Sequence, residues 1–249
     1  MNTELSFQPD WRMTLFVALM VPLMVGLGFW QLARGGEKAA LAADFAAKQA
    51  RAPVPLTRLQ DFDEEALAYL PVRAVGSFRS GRYFLLDNRT RQGRFGNEVI
   101  AVFEPLGSDM AVLVNRGWIP ADPARREAPT VPEVEGVVTI EGYVYVAPGE
   151  PLLLAEQRLE PGWPKQVQAV EMDLLAEALG RSLGGGLFGH PVRLEADSPG
   201  ALAADWEVVN VSPERHTGYA VQWFTMAGVL TLIYIVYSSR RAGSGGTQS

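Results

Sequence analysis

Two apolar stretches constrain this chain more than any other feature. One runs from Met13 to about Leu32, the other from about Thr217 to Tyr237. Each reaches the roughly 20 residues that a helix needs to cross about 30 Å of hydrocarbon. Ala40-Leu41-Ala42 resembles the cleavage site of a secretory leader. The first run is longer than a leader's apolar core, however, and Arg34, Glu37 and Lys38 separate the two, so it reads as a span. Pro22 lies inside it, a break that spans tolerate because neighbours satisfy the freed carbonyl. Arg240-Arg241 directly follow the second run and Arg12 flanks the first, which places both termini in the cytoplasm. About 180 residues lie between the spans, enough for one domain with its own core. The expected organisation is a cytoplasmic N-terminus (1–12), a span (13–33), a periplasmic β-rich domain with a helical stem (34–216), a second span (217–237) and a cytoplasmic tail (238–249).

Within the domain, Arg34 to Arg51 continues as an Ala-rich helical stem that Pro53 and Pro55 end. Asp61 to Tyr69 suggests a short helix. Val138, Ile140, Val144 and Val146 alternate with Thr139, Glu141, Tyr143 and Tyr145, the period of a strand with one face on a core. Tyr83 to Leu86, Val99 to Phe103 and Ala111 to Val114 are further β-rich runs, with turns at Gly81, Gly93, Gly96 and Gly107-Ser108-Asp109. Met172 to Leu179 reads as a helix capped by Gly180, and strands are expected at Pro191 to Leu194 and Trp206 to Asn210. The fold class is α+β: two transmembrane helices flanking an extracytoplasmic antiparallel sheet or small barrel.

Several chemistries are excluded. The net charge of −6 argues against nucleic acid as a partner. With no cysteine there is no disulfide, thiolate metal site, iron–sulfur cluster or Cys nucleophile. Only His190 and His216 could serve as imidazole bases, and no G-x-S-x-G elbow exists, so a hydrolase triad is not expected. Gly184-Gly185-Gly186-Leu187-Phe188-Gly189 matches G-x-G-x-x-G only formally, because it follows a helix and His190-Pro191 follows it.

The start of the second span is more specific. Ser212 suits an N-cap and Pro213 the first helical turn, with Glu214 favourable beside the helix dipole. At about 100° per residue, His216, Tyr219, Ala220, Trp223, Ala227, Leu230 and Tyr234 share a stripe. Imidazole, a small residue and two aromatics could line the edge of a flat apolar macrocycle, or His216 could anchor the helix against another span. In the first span Leu23, Leu27, Trp30 and Arg34 form the expected partner stripe, and Gly26 and Gly28 permit close approach. Arg34 suits either a carboxylate or phosphate, or snorkelling to the interface. In the domain, Asn88-Arg89 and Asn115-Arg116-Gly117-Trp118 end two β runs. Their donors suit either partner recognition or the fixing of turns.

These segments together resemble the surfeit locus protein 1 family of cytochrome c oxidase assembly factors. The resemblance rests on Gly28-Phe29-Trp30-Gln31-Leu32-Ala33-Arg34 with Lys38, Leu86-Asp87-Asn88-Arg89-Thr90, Val114-Asn115-Arg116-Gly117-Trp118-Ile119-Pro120, and Pro213 to Phe224, in family order along nearly the whole chain. Gly35-Gly36 depart from the bulkier residues expected before Lys38. The resemblance implies a non-enzymatic, multi-pass inner-membrane protein that helps build the haem a-containing subunit of a terminal oxidase. It implies haem a as cofactor, with His216 on iron; from their places on the two span faces, Tyr219, Trp223 and Trp30 would then pack the ring, and Arg34 or Arg215 would meet the propionates. Implied partners are the oxidase catalytic subunit, the haem a synthesis enzymes and the bilayer; the donor-rich loops offer Asn88, Arg89, Asn115, Arg116 and Trp118 as candidate partner-binding residues. The alternative is a haem-free scaffold for oxidase subunits.

Overall fold

The structure is a computed structural model. It describes residues 5–7, 9–124, 126–147, 149, 156–180, 183–206 and 212–241. The expected strand at 206–210, beyond Trp206, and most of the tail at 238–249 lie outside the described residues. The chain divides into two units, a helix pair (1–44 with 207–249) and a β domain (45–206).

Both long helices are apolar enough to cross a membrane. Helix α1, Trp11–Gln49, runs through Pro22 and on into the stem without a break, and α4 is Pro213–Ser238. Trp11 and Trp30 lie about 28 Å apart along α1 at 1.5 Å per residue. Each has an arginine over its ring, Arg12 at 5.5 Å and Arg34 at 6.0 Å. That separation matches the spacing between the two interfaces of a bilayer, where aromatic and cationic side chains are enriched. Beyond one end of the pair, β1 (Leu5–Phe7) pairs antiparallel with β9 (Ser239–Arg241). Tyr234 secures that end: its hydroxyl bonds Thr14 Oγ1 at 2.8 Å and its ring meets the edge of Phe7.

The domain is built on β3, a strand of 21 residues from Pro71 to Arg91. The expected turn at Gly81 is instead an irregularity within this strand, where its register against β4 (Arg94–Pro105) shifts between Phe78 and Tyr83. The expected turn at Gly93 forms as the tight hairpin Gln92-Gly93, both with positive φ (51° and 74°), whereas Gly96 lies within β4, paired on both sides. Strands β5 (Val112–Pro120), β6 (Val138–Val144) and β8 (Val192–Leu194) follow, and β6 pairs back onto β3. The order β3-β4-β5-β8-β6 therefore closes on itself, the small barrel among the expected architectures. Pairing is mostly antiparallel; β5–β8 and two short additions to β3, β2 (Val54–Pro55) and β7 (Lys165–Val167), are parallel.

Alternation sorts the core. Val72, Ala74, Phe103, Val112, Val114, Ile140, Val144, Val192 and Leu194 fill the ring, capped by Leu56 and Leu59 from the turn 56–61, Leu67 from the short helix α2 (Glu64–Leu67) and Leu70 just before β3. The other face of the sheet, Phe84 and Leu86 beyond the β3 irregularity with Ile100, Val102 and Leu113, packs outward against β7 and α3 (Met172–Leu179). The residues where the chain enters and leaves the domain are both tied to this barrel. The Phe45 ring meets Tyr69 and Tyr143, and Arg193 of β8 is stacked between Tyr145 (3.6 Å) and Trp206 (4.6 Å).

Candidate functional site

His216 occupies the first turn of α4. Ser212 takes the N-cap position with extended backbone and Pro213 opens the helix, as its fixed φ favours. The imidazole faces α1. Its Nδ1 lies 2.7 Å from Gln31 Oε1, and its Nε2 is buried with no hydrogen-bond partner. A Cβ on Gly35 would stand 3.3 Å from the His216 Cβ and 3.5 Å from the Pro213 carbonyl, so a glycine there lets the start of α4 settle onto α1. This gives the departure at Gly35 a physical reason.

The facing stripe of α4 is the expected one: Ala220 and Ala227 are buried, and Trp223, Leu230 and Tyr234 are half-buried. Tyr219 lies at its margin, half exposed. The stripe of α1 differs from expectation. Its buried residues are Val17, Gly28 and Gly35, not Leu23, Leu27, Trp30 and Arg34, which lie about 100° round the helix. Gly28 takes the edge of the Phe224 ring, where a Cβ would come within 2.5 Å, whereas Gly26 touches nothing. Trp30 is half exposed, and Arg34 Nη1 donates to Glu37 Oε2 at 2.7 Å. Small residues face the partner because lipid tails solvate Leu and Trp as well as another helix does.

A second constellation lies in the domain, where the two Asn-Arg segments meet across β3, β4 and β5. Asp87 is buried; its Oδ1 accepts the Asn88 N–H at 2.7 Å and the Asn97 amide at 3.4 Å. Asn115 donates from Nδ2 to Glu98 Oε2 at 2.6 Å, and Arg89 Nε stands 3.6 Å from Glu98 Oε1. Trp118 donates from Nε1 to the Arg89 carbonyl at 2.9 Å. Register shifts between Leu86 and Arg89 and between Glu98 and Ile100 aim these side chains together. Asn88 takes φ 56°, a left-handed conformation that Asn tolerates, and Asn88 and Arg89 remain exposed at the rim.

Arg116 does not join them. It is buried, with Nε donating to the Gly200 carbonyl (2.7 Å), Nη2 to the Pro132 carbonyl (2.9 Å), and its guanidinium 5.4 Å from the Phe78 ring. Burial pulls its pKa down from the usual arginine value. Elsewhere in the domain, two hydrogen bonds from Arg91 hold the Asp205 carboxyl below the ordinary aspartate range.

Sequence reasoning assigned no role to Gln31, Phe224, Glu98 or Asp205. Gln31 carried a usable signal: an amide in an apolar span, three residues after Gly28 and four before Gly35. His190 sits apart in the domain, its ring beside Phe188. Among the described residues no group of three or more His, Cys, Asp or Glu could hold a metal ion. Haem asks for less, one axial nitrogen. His216 fits that donor role, because Nδ1 is engaged and Nε2 is not.

Comparison with known proteins places this geometry in context. The SURF1 family model matches residues 18–228. The chain is 25% identical over 241 residues to a SURF1-like protein of Monosiga brevicollis, covering 91% of this chain and 87% of that protein. It is 24% identical over 237 residues to surfeit locus protein 1 of Gallus gallus (87% and 72% covered). It is 29% identical over 109 residues to a SURF1-like protein of Rickettsia felis (43% and 46% covered).

Proposed function

The chain belongs to the SURF1 family, and from that premise we propose that it is an inner-membrane assembly factor for a haem a-containing terminal oxidase. In this reading it binds haem a through His216 and aids delivery to the catalytic subunit. One observation carries the reading: the buried, unpartnered Nε2 of His216 beside an Nδ1 already held by Gln31. A ligating histidine commonly has its second nitrogen held in this way. Bound there, haem a would supply the cargo; the chain's own residues grip and release it. Trp223 lies on the His216 face of α4, and Tyr219 and Trp30 offer half-exposed rings for the macrocycle. Arg34 would meet a propionate by exchanging it for Glu37. The role is one of binding and hand-over, with no catalytic residue assigned. The β1–β9 pairing, which brings the two flanks of the helix pair together, and Arg240-Arg241 support cytoplasmic termini and a periplasmic domain.

The test is the absorbance spectrum of the full chain purified after co-production with haem a synthesis enzymes. A haem a spectrum that His216→Ala abolishes is expected. An unchanged spectrum in that variant removes the ligand assignment.

A second reading is a haem-free scaffold, favoured by the exposed Asn88 and Arg89 at the rim of a rigid buried network that also holds Asn115 and Trp118. Haem-free protein that still co-purifies with the catalytic subunit, and loses it in Arg89→Ala, would establish it. Arg116 serves that surface only indirectly, by holding the loops behind it.

A further inference from the structure

We propose that Gln31 is the positioning residue for His216: its amide oxygen accepts the Nδ1 proton from the neighbouring span and leaves the Nε2 lone pair as the ring's one free donor. The inference rests on the haem reading for its consequence, but not for its geometry. Gly28, Gln31 and Gly35 form one stripe of α1, and the glycines bring α4 close enough for the 2.7 Å contact between Oε1 and Nδ1. An amide in a span has few partners to choose from, so this one is strongly selected.

The two tautomers are not equivalent here. With the proton on Nδ1, a bare acceptor is buried at Nε2. With it on Nε2, a buried N–H donor has no acceptor, since no hydrogen-bond partner lies there. Orphaned buried donors are the rarer of the two, and only Nδ1–H can donate to the Gln31 oxygen, so the network selects Nδ1–H. Gln31 thereby sets both the rotation of the ring and which nitrogen can meet a metal. An acceptor on the far nitrogen also raises the basicity of the ligating one.

The chain has only two histidines, so ring 15N spectra of full-length, 15N-His-labelled protein in lipid nanodiscs contain two imidazoles, and His190→Gln assigns them. The expected result is a protonated Nδ1 and a bare Nε2 for His216. In Gln31→Leu this single tautomer should give way to a mixture, while Gln31→Glu retains it. The unmoved His190 signal shows that the β domain stays folded, and Gln31→Glu controls for the helix pair. A wild-type ring protonated on Nε2, or a Gln31→Leu ring unchanged from wild type, overturns the proposal.

The second arm titrates haem a into the same proteins. Gln31→Leu should weaken uptake about 10- to 100-fold, the usual effect of losing such a partner. Gln31→Glu should restore uptake and lower the midpoint potential of the bound haem. Wild-type affinity and potential in Gln31→Leu also overturn the proposal. If the wild-type chain takes up no haem a, the ligand reading fails and the tautomer result alone decides the role of Gln31.

Discussion

In the β domain the fully buried side chains are large: Phe84, Phe103, Ile100, Leu113 and Leu175. In the helix pair the buried residues are mostly small: Gly28 and Gly35 on one helix, Ala220 and Ala227 on the other. The exposed large apolar side chains are distributed in the opposite sense. Of those among the described residues, only Val75, Leu106 and Val137 belong to the domain, and the rest lie in or beside the spans. In water, folding is driven by taking apolar surface out of solvent, so bulk goes inside. In a bilayer the tails are as apolar as leucine. What helices gain from each other there is close packing and hydrogen bonds, so small and polar residues turn inward. Gln31 and His216 obey this second rule: the polar contact between the spans coincides with the small-residue seam.

Substitutions that interchange the two rules test this contrast. The largest effect is expected for Phe103→Ala in the barrel. It removes a fully buried ring from the face that closes β3 onto β6, at a cost of about 3–5 kcal/mol, and thermal unfolding of the full chain should show it. Next comes Arg116→Met. It keeps the stem's bulk but strands the Gly200 and Pro132 carbonyls, for about 2–3 kcal/mol. Faster proteolysis within 131–134 or 198–203 would accompany the loss. If Arg116→Met leaves stability unchanged, Arg116 is not the tie between those loops.

In the spans the damaging change is an addition. Gly28→Leu drives a side chain into the Phe224 ring and should cost about 1–3 kcal/mol of helix pairing. The chain has no cysteine, so a pair introduced at Thr14 and Tyr234, whose side chains touch at 2.8 Å, can report on the pairing. Crosslinking by a short bifunctional reagent should fall in the Gly28→Leu background. Undiminished crosslinking would mean that Gly28 is not at the seam.

Much of this was legible in the sequence, for reasons that also explain the errors. Period-two alternation at 138–144 and the caps around 172–179 are local signals, and the elements form where they point. Closure of the barrel is not local. It depends on β6 returning to β3 and on β8, a three-residue strand whose pairings span long stretches of chain. Helix phase alone offers Leu23, Leu27, Trp30 and Arg34 as a partner stripe of α1, but in lipid bulk has no reason to turn inward, and the seam runs through Gly28 and Gly35. Asn115 and Arg116 form one donor-rich pair in the sequence, yet neighbours on a strand point to opposite faces. Asn115 therefore meets Glu98, while Arg116 goes behind the sheet. His216 was legible through its helix phase, whereas its partner Gln31 needed the distance between two helices.

A smaller effect is expected at the domain surface. Asp205 has its pKa lowered by the hydrogen bonds from Arg91, so the pair's contribution is present above the unfolded carboxyl value, near about 4. It is lost as pH falls through the lower folded value. Both partners are solvent-accessible, so the effect is slight and salt should erase it. Arg91→Gln should flatten the stability profile below about pH 4 and leave it unchanged near neutrality. A neutral-pH loss as large as that of Arg116→Met would show instead that Asp205 is a structural tie.

The smallest effect is expected for Leu23→Ala, and it bears most directly on the contrast. Leu23 is exposed on α1, so lipid tails contact it in the paired and separated states alike. Deleting most of the side chain should change pairing by no more than about 0.5 kcal/mol. The same deletion at Leu113, fully buried in the domain, should cost about 2–5 kcal/mol. Pairing of the spans, read by the Thr14–Tyr234 crosslink, and domain stability, read by thermal unfolding, allow the two sites to be compared in one chain. A loss of pairing in Leu23→Ala similar to that in Gly28→Leu would restore the Leu23 face as the seam. It would also remove the close approach that Gln31 needs to hold His216.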